Sequence, residues 1–120
     1  MIIPLQITWR DIPQSDALEE DIRAKATKLE RFADKIISCR VLVESSSRRH
    51  HKGNLYHIRI EIEVPESQII VTRDPGQNHA HEDVYVAVRD AFDAAQRQLQ
   101  EYVDQRRGKV KHHEVTEQLD

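Results

Sequence analysis

The stretch YHIRIEIEV at residues 56–64 decides the fold of this 120-residue chain. Apolar side chains occupy every second position from Tyr56 to Val64, and polar or charged side chains lie between them. Because successive side chains of a strand point to opposite faces, this alternation predicts a β-strand with one buried and one solvated face. Pro65 has no amide hydrogen for a neighbouring strand and predicts the end of this one.

Three further strands and two helices are predicted around it. Alternating or clustered apolar residues predict strands over 3–9, 37–43 and 69–72. Apolar residues three and four positions apart predict one helix from the N-cap Ser15 to Ile36 and another from Glu82 to Gly108. Short loops join the last three strands, so we expect an antiparallel meander. The sequence therefore predicts an α+β two-layer sandwich in the order β-α-β-β-β-α, a four-stranded sheet with both helices on one face.

The last five of these elements follow the order of the double-stranded-RNA-binding domain. That module carries a lysine cluster at the start of its second helix. The equivalent stretch here reads HAHEDV at residues 79–84 and is acidic. The shared topology therefore does not predict the same mode of RNA binding.

Composition limits the class of protein. The length predicts one domain, which we place at residues 1–108, followed by a mobile tail at 109–120. No apolar run approaches the roughly 18 residues that a membrane span needs. The single cysteine, Cys39, excludes an internal disulfide framework and fits the reducing cytoplasm. We find no nucleophile elbow, phosphate-binding glycine loop or paired catalytic carboxylates, and so expect neither an enzyme, a cofactor nor a small-molecule substrate.

Positive charge is segregated, although the formal net charge is −3. The predicted hairpin loop SSSRRHHKGN at residues 45–54 holds cations and no acid. Lys28, Arg31 and Lys35 fall on one flank of the first predicted helix, and RRGKVK at 106–111 follows the second helix. Such segregation favours a polyanion surface. In the loop and the helix end, the candidate phosphate contacts are Arg48, Arg49, His50, Lys52, Lys109 and Lys111.

Two other interpretations remain open at this stage. The cationic loop and helix faces are also compatible with ordinary solvated surface. Four histidines, His50, His51, His79 and His81, could instead serve a metal-binding regulatory protein. However, neighbouring loop histidines do not fix a coordination geometry, and no cysteine or carboxylate cluster joins them, so we expect no metal site.

Two long segments resemble the ribosome hibernation factor family, whose members are also called sigma-54 modulation or ribosome-associated inhibitor proteins. ALEEDIRAKATKLERFADKIISCRVLVE at residues 17–44 is similar to the first helix and second strand of the family. HEDVYVAVRDAFDAAQRQLQEY at 81–102 is similar to its second helix. The resemblance covers roughly residues 2–107 and corresponds to the short, single-domain form.

The resemblance implies a non-enzymatic inhibitor of translation. It would bind the small ribosomal subunit, through 16S ribosomal RNA and ribosomal proteins, near the decoding site in the channel for messenger and transfer RNA. It would promote ribosome hibernation under stress or in stationary phase. A transcription-regulating role, as the sigma-54 name suggests, is the alternative. By this resemblance the RNA-binding residues on the two helices are Lys25, Lys28, Arg31, Lys35, Arg89, Arg97, Arg106 and Arg107.

Overall fold

The order of the elements in the structure, a computed structural model, confirms the β-α-β-β-β-α prediction. The structure describes residues 4–33, 35–45, 56–73 and 83–119, with side chains as far as residue 108. The elements are β1 (Leu5–Arg10), α1 (Asp16–Leu29), β2 (Ser38–Ser45), β3 (Tyr56–Val64), β4 (Ser67–Arg73) and α2 (Val84–Leu119). Neither described helix has a stretch that is both long and apolar enough to cross a membrane.

The sheet has the spatial order β1-β2-β3-β4. β1 pairs with β2 in parallel, whereas β2, β3 and β4 pair in antiparallel fashion, as the predicted meander requires. Parallel neighbours need a crossover connection, and α1 supplies it between β1 and β2. β3 therefore lies inside the sheet, with β2 on one side and β4 on the other.

One face of the sheet is covered by both helices. Ile58, Ile60 and Ile62 of β3 are completely buried there, together with Leu18 of α1 and Leu99 of α2. On the opposite face, Arg59 and Glu61 form a partly exposed ion pair of 2.8 Å between Nε and Oε2. The alternation in the sequence thus corresponds to an inner and an outer face of β3, and the two-layer α+β architecture is confirmed.

α1 begins where the sequence predicts and ends earlier. The Ser15 hydroxyl accepts a hydrogen bond from the Leu18 amide at 3.2 Å, which confirms the N-cap. The prediction that the helix reaches Ile36 is wrong, because α1 ends at Leu29. The amide of Phe32 donates to the Leu29 carbonyl at 3.0 Å, three residues back, and bonds of this kind tighten and finish a last helical turn.

The early end of α1 moves two predicted cations off the helix. Arg31 belongs to the closing turn, and Lys35 lies outside regular secondary structure, before β2 begins. Helical-wheel geometry therefore does not apply to them, and the single cationic flank that we predicted for Lys28, Arg31 and Lys35 is not formed.

The turn between β3 and β4 is tight and strained. Val64 and Ser67 are register partners, which leaves only Pro65 and Glu66 to reverse the chain. Glu66 has a φ of 66°, in the left-handed region that costs a residue with a side chain roughly 1–2 kcal/mol. Contacts elsewhere in the fold must offset this cost for the turn to persist.

α2 does not stop at Gly108. The helix continues to Leu119, and the prediction of a stop at this glycine is wrong. A glycine inside a helix costs only about 0.5–1 kcal/mol relative to alanine, which is too little to end a long helix by itself. A Cβ atom added at Gly108 would meet no atom within 4 Å, so no close approach demands glycine there.

We therefore predict that Gly108→Ala stabilises the protein. The expected gain in the free energy of unfolding is about 0.5–1 kcal/mol, because alanine loses less backbone entropy on entering a helix. Urea unfolding followed by circular dichroism measures it. A loss of stability would mean that residue 108 adopts a left-handed, helix-ending conformation.

A second prediction concerns the buried thiol of Cys39. Desolvation by burial raises the pKa of Cys39 to about 12. The unfolded chain loses this proton near the ordinary cysteine pKa of about 8.5. The contribution of the neutral, buried thiol to the free energy of unfolding is therefore complete below that pH and is lost as the pH rises toward 12. We expect the free energy of unfolding to fall by up to about 1.4 kcal/mol per pH unit in that range.

Cys39→Ala is the control for this alkaline effect. It removes the titrating thiol while the lysines and tyrosines remain, so its stability should decline less steeply between pH 8.5 and 10.5. Urea unfolding at several pH values gives both slopes. Identical slopes in the two proteins would contradict the assignment to Cys39.

Candidate nucleic-acid interface

A groove at one end of the helical layer brings together four of the predicted cations. Its volume is about 280 Å³. Its lining, which we call the α1–α2 groove, consists of Arg31, Phe32, Ala33, Lys35, Pro65, Tyr102, Val103, Arg106 and Arg107. The residues of this described lining carry four positive charges and no acid.

Topology explains why these distant segments meet. β1 and β2 are parallel, so α1 runs back between them and ends near the start of β2. β3 ends at this same end of the sheet, where the Ile37 amide donates to the Glu63 carbonyl at 2.7 Å. α2 begins at the opposite end, after β4, and returns. The end of α1, the β3–β4 turn and residues 102–107 of α2 therefore converge.

A hydrogen-bonded clamp joins α2 to the β3–β4 turn. The Tyr102 hydroxyl donates to the Pro65 carbonyl at 2.7 Å. Nη1 of Arg106 donates to the same carbonyl at 3.2 Å and to the Tyr102 hydroxyl at 2.9 Å. The guanidinium carbon of Arg106 lies 5.5 Å from the centre of the Tyr102 ring. Arg106, which the resemblance marked only as an RNA contact, is thus also held in a fixed place by the fold.

The remaining predicted cations differ in how far they are engaged. Lys25 pairs with Asp21 at 2.8 Å and Arg89 with Asp90 at 3.3 Å. The Lys25 pair is partly buried, whereas Arg89 is exposed. An exposed pair contributes little to stability, so Arg89 can exchange onto a phosphate at small cost. Five predicted cations form no ion pair with another described side chain: Lys28, Arg31, Lys35, Arg97 and Arg107.

Arg23, a cation of α1 outside the predicted site, is engaged with a carboxylate of the same helix. Arg23 forms a 3.0 Å ion pair with Glu19, four residues earlier. This hydrogen bond, with a second from Gln14, lowers the pKa of Glu19. Arg23 is therefore matched by a carboxylate, whereas Lys28 at the end of the helix has no such partner among the described residues.

Arg89, Arg97 and Arg107 spread charge along α2. The 18 residue-to-residue steps from Arg89 to Arg107 span about 27 Å at 1.5 Å per step. Arg97 does not join the α1–α2 groove but lies on the β4 side of α2, near Arg73 and Glu101. The cations of α2 thus lie at separate places along the helix, and Arg106 and Arg107 are the two that line the groove.

The structure also fixes the strand ends from which the cationic loop departs. Ser45 and Tyr56 are register partners at the end of β2 that lies away from the groove. β2 has eight residues, so these ends lie on the order of 23 Å from its start at Ser38. The predicted contacts Arg48, Arg49, His50 and Lys52 fall outside the described residues. Lys109 and Lys111 belong to α2, but their side chains fall outside the described ones.

Two aromatic residues of the groove were not predicted as functional. Phe32 and Tyr102 fitted the apolar stripes of the two helices, and both are indeed partly buried against the core. Spacing alone could not show that they also line a cationic groove, because that depends on where α1 ends. Among the described residues, no group of three metal-ligating side chains lies together; His50, His51, His79 and His81 fall outside them.

Solved structures share this fold. The N-terminal domain of Protein Y from Thermus thermophilus has a TM-score of 0.65 at 19% identity, over 85% of this chain and 99% of that chain. The same values relate the chain to a ribosomal subunit interface protein from Coxiella burnetii. These likenesses show the fold, a β-α-β-β-β-α sandwich with the four-stranded mixed sheet described above.

Comparison by sequence also shows the family. The family described as "Sigma 54 modulation protein / S30EA ribosomal protein" matches residues 5–107, and the chain belongs to this family. The ribosome hibernation promotion factor of Deinococcus radiodurans is 26% identical over 98 residues, which cover 81% of this chain and 47% of the relative. The chain thus spans about half the length of that relative. The family resemblance that the sequence analysis identified is confirmed.

The clamp around Pro65 gives a prediction for stability. Tyr102→Phe keeps the ring and removes the hydroxyl that bonds the Pro65 carbonyl and receives Arg106. We expect a loss of about 0.5–1.5 kcal/mol in the free energy of unfolding, the usual contribution of such a hydrogen bond. Urea unfolding measures the loss.

Tyr85→Phe is the matched control, because Tyr85 is exposed and its hydroxyl has no hydrogen-bond partner among the described residues. Its stability should stay within about 0.5 kcal/mol of the unchanged protein. Equal effects of the two substitutions would show that the clamp contributes nothing.

Proposed function

We propose that this protein is a cytoplasmic inhibitor of translation that binds the small ribosomal subunit. Its cationic surface contacts 16S ribosomal RNA near the decoding site, in the channel for messenger and transfer RNA. Occupation of that channel excludes the substrates of translation, and the protein promotes ribosome hibernation under stress or in stationary phase. The mechanism is steric, so it needs no catalytic group.

The observation that carries this proposal is the α1–α2 groove. Four cations from two distant segments converge there, and its described lining contains no acid. Arginine and lysine side chains in such an arrangement neutralise phosphates and release the counterions condensed on a nucleic acid. Membership of the S30EA family and similarity to a ribosome hibernation promotion factor support the ribosome as the source of that RNA.

The net charge of −3 does not oppose RNA binding. Electrostatic attraction between exposed groups is screened over about 8 Å at physiological salt, so the local field at the groove matters more than the total. Acids such as Glu61 and Glu63 lie on β3 and point away from the helices. The two faces of the sheet thereby separate both acids of β3 from the helical layer that holds the groove.

The direct test is cosedimentation with purified small subunits at increasing salt. We expect binding that weakens steeply between about 50 and 200 mM salt, as release of counterions from several phosphates requires. Binding should persist with protein-free 16S RNA at reduced affinity. Absent or salt-insensitive binding would contradict the proposal. A protein partner that stays bound after ribonuclease treatment would instead favour transcriptional regulation through that partner.

A pair of double variants tests whether the groove is the contact. Arg31→Gln with Arg107→Gln removes two cations from the groove. Arg10→Gln with Arg40→Gln removes two exposed cations from the outer face of the sheet. Both variants lower the net charge by two, so only the position of the lost charge differs.

We expect the groove variant to lose at least tenfold in affinity and to show a salt dependence shallower by about two phosphate contacts. The outer-face variant should bind like the unchanged protein. Cosedimentation and a polysome profile with added protein measure both. If the two variants were equally impaired, net charge rather than the groove would govern binding.

A further inference from the structure

The α1–α2 groove has an apolar, aromatic wall as well as its cations. Phe32, Tyr102 and Val103 are partly buried and pack against the core. Phosphate contact requires only positive charge and hydrogen-bond donors, so such a wall offers more than a backbone contact uses. Unpaired bases, by contrast, pack on aromatic rings and on planar guanidinium groups.

Arg106 gives the groove a preorganised planar surface. Its guanidinium is fixed over the Tyr102 ring by bonds from Nη1 to the Pro65 carbonyl and to the Tyr102 hydroxyl. A side chain that is already ordered pays little entropy when a ligand packs on it. Nε and Nη2 make no hydrogen bond to the described residues and remain able to donate.

Three further cations surround this platform. Arg31, Lys35 and Arg107 are exposed, and none of them forms an ion pair with a described side chain. They come from two segments that are distant in the sequence, the stretch between α1 and β2 and the helix α2. A phosphate placed between these segments can be contacted from both.

The size of the groove limits what fits. Its volume of about 280 Å³ is close to the lower end of the roughly 300–1,000 Å³ typical of ligand sites. This accommodates one flat base with its phosphate at the rim. An acidic peptide would match the charge but would not use the aromatic wall.

From these observations we propose that the α1–α2 groove is a subsite for one unpaired nucleotide of an RNA strand. The base packs against Phe32 and the Arg106–Tyr102 pair, and Arg31, Lys35 and Arg107 hold the adjoining phosphates. The inference deepens the proposed function and rests on it, because it states which part of an RNA the cationic surface recognises: a flipped-out or single-stranded residue rather than a continuous duplex.

Fluorescence anisotropy with a labelled adenosine pentanucleotide tests the subsite separately from the ribosome. The same strand paired with its complement is the duplex probe. Phe32→Leu keeps an apolar side chain and removes the ring, and Arg106→Lys keeps the charge and removes the plane. Arg40→Lys makes the same conservative change on the outer face of the sheet. Thermal unfolding checks that each variant is folded. If Arg106→Lys does not fold, Phe32→Leu alone decides the outcome.

We expect the single strand to bind more tightly than the duplex. Phe32→Leu and Arg106→Lys should each weaken pentanucleotide binding about tenfold, the effect of losing one stacked base, while Arg40→Lys leaves it unchanged. The proposal is overturned if Phe32→Leu binds normally, if the duplex binds as tightly, or if a glutamate hexapeptide competes as well as an unlabelled pentanucleotide.

Cosedimentation separates failure of the subsite from failure of the proposed function. If the unchanged protein binds small subunits and Phe32→Leu leaves pentanucleotide binding intact, only the subsite is wrong. If the unchanged protein does not bind small subunits at all, the proposed function itself is wrong.

Discussion

The buried face of the sheet, with β3 inside it, carries both helices and fixes where their ends lie. Ile58, Ile60 and Ile62 are inaccessible to solvent beneath the helical layer, in which α2 packs on β3 and β4 and α1 packs on β1. Burial of each such side chain contributes roughly 1.5–3 kcal/mol. α1 and α2 contact each other across this shared surface, so the width of the groove between their ends is set by the packing below it. The candidate site is therefore a by-product of the core rather than an independent loop structure.

The β3–β4 turn connects that core to the site. Glu66 adopts a left-handed conformation, and Tyr102 and Arg106 bond the carbonyl of Pro65 just before it. These bonds offset part of the cost of the turn and at the same time immobilise a cation at the rim of the groove. One set of contacts thus stabilises a tight hairpin and orders a side chain that we assign to ligand binding.

The sequence was sufficient for the strands and insufficient for the groove. Alternation at 56–64 has only one structural solution when one face is buried, and β3 forms where it predicts. The ends of helices depend on single turns. A bond from Phe32 to Leu29 finishes α1, although Ala33 and Ile36 continue the apolar spacing, and Gly108 fails to finish α2 although glycine often does. Arg31 and Lys35 consequently line the same groove as Arg106 and Arg107. A helical wheel cannot show this arrangement, because it assumes that the helix continues.

The separation of the groove residues along the chain has a consequence for biosynthesis. Arg31 and Lys35 leave the ribosome long before Arg106 and Arg107. The groove needs cations from both segments, so it cannot form until α2 has been made. Domains fold as units as they emerge during synthesis. A growing chain therefore presents no complete groove until the residues of α2 have emerged from the ribosome that makes it.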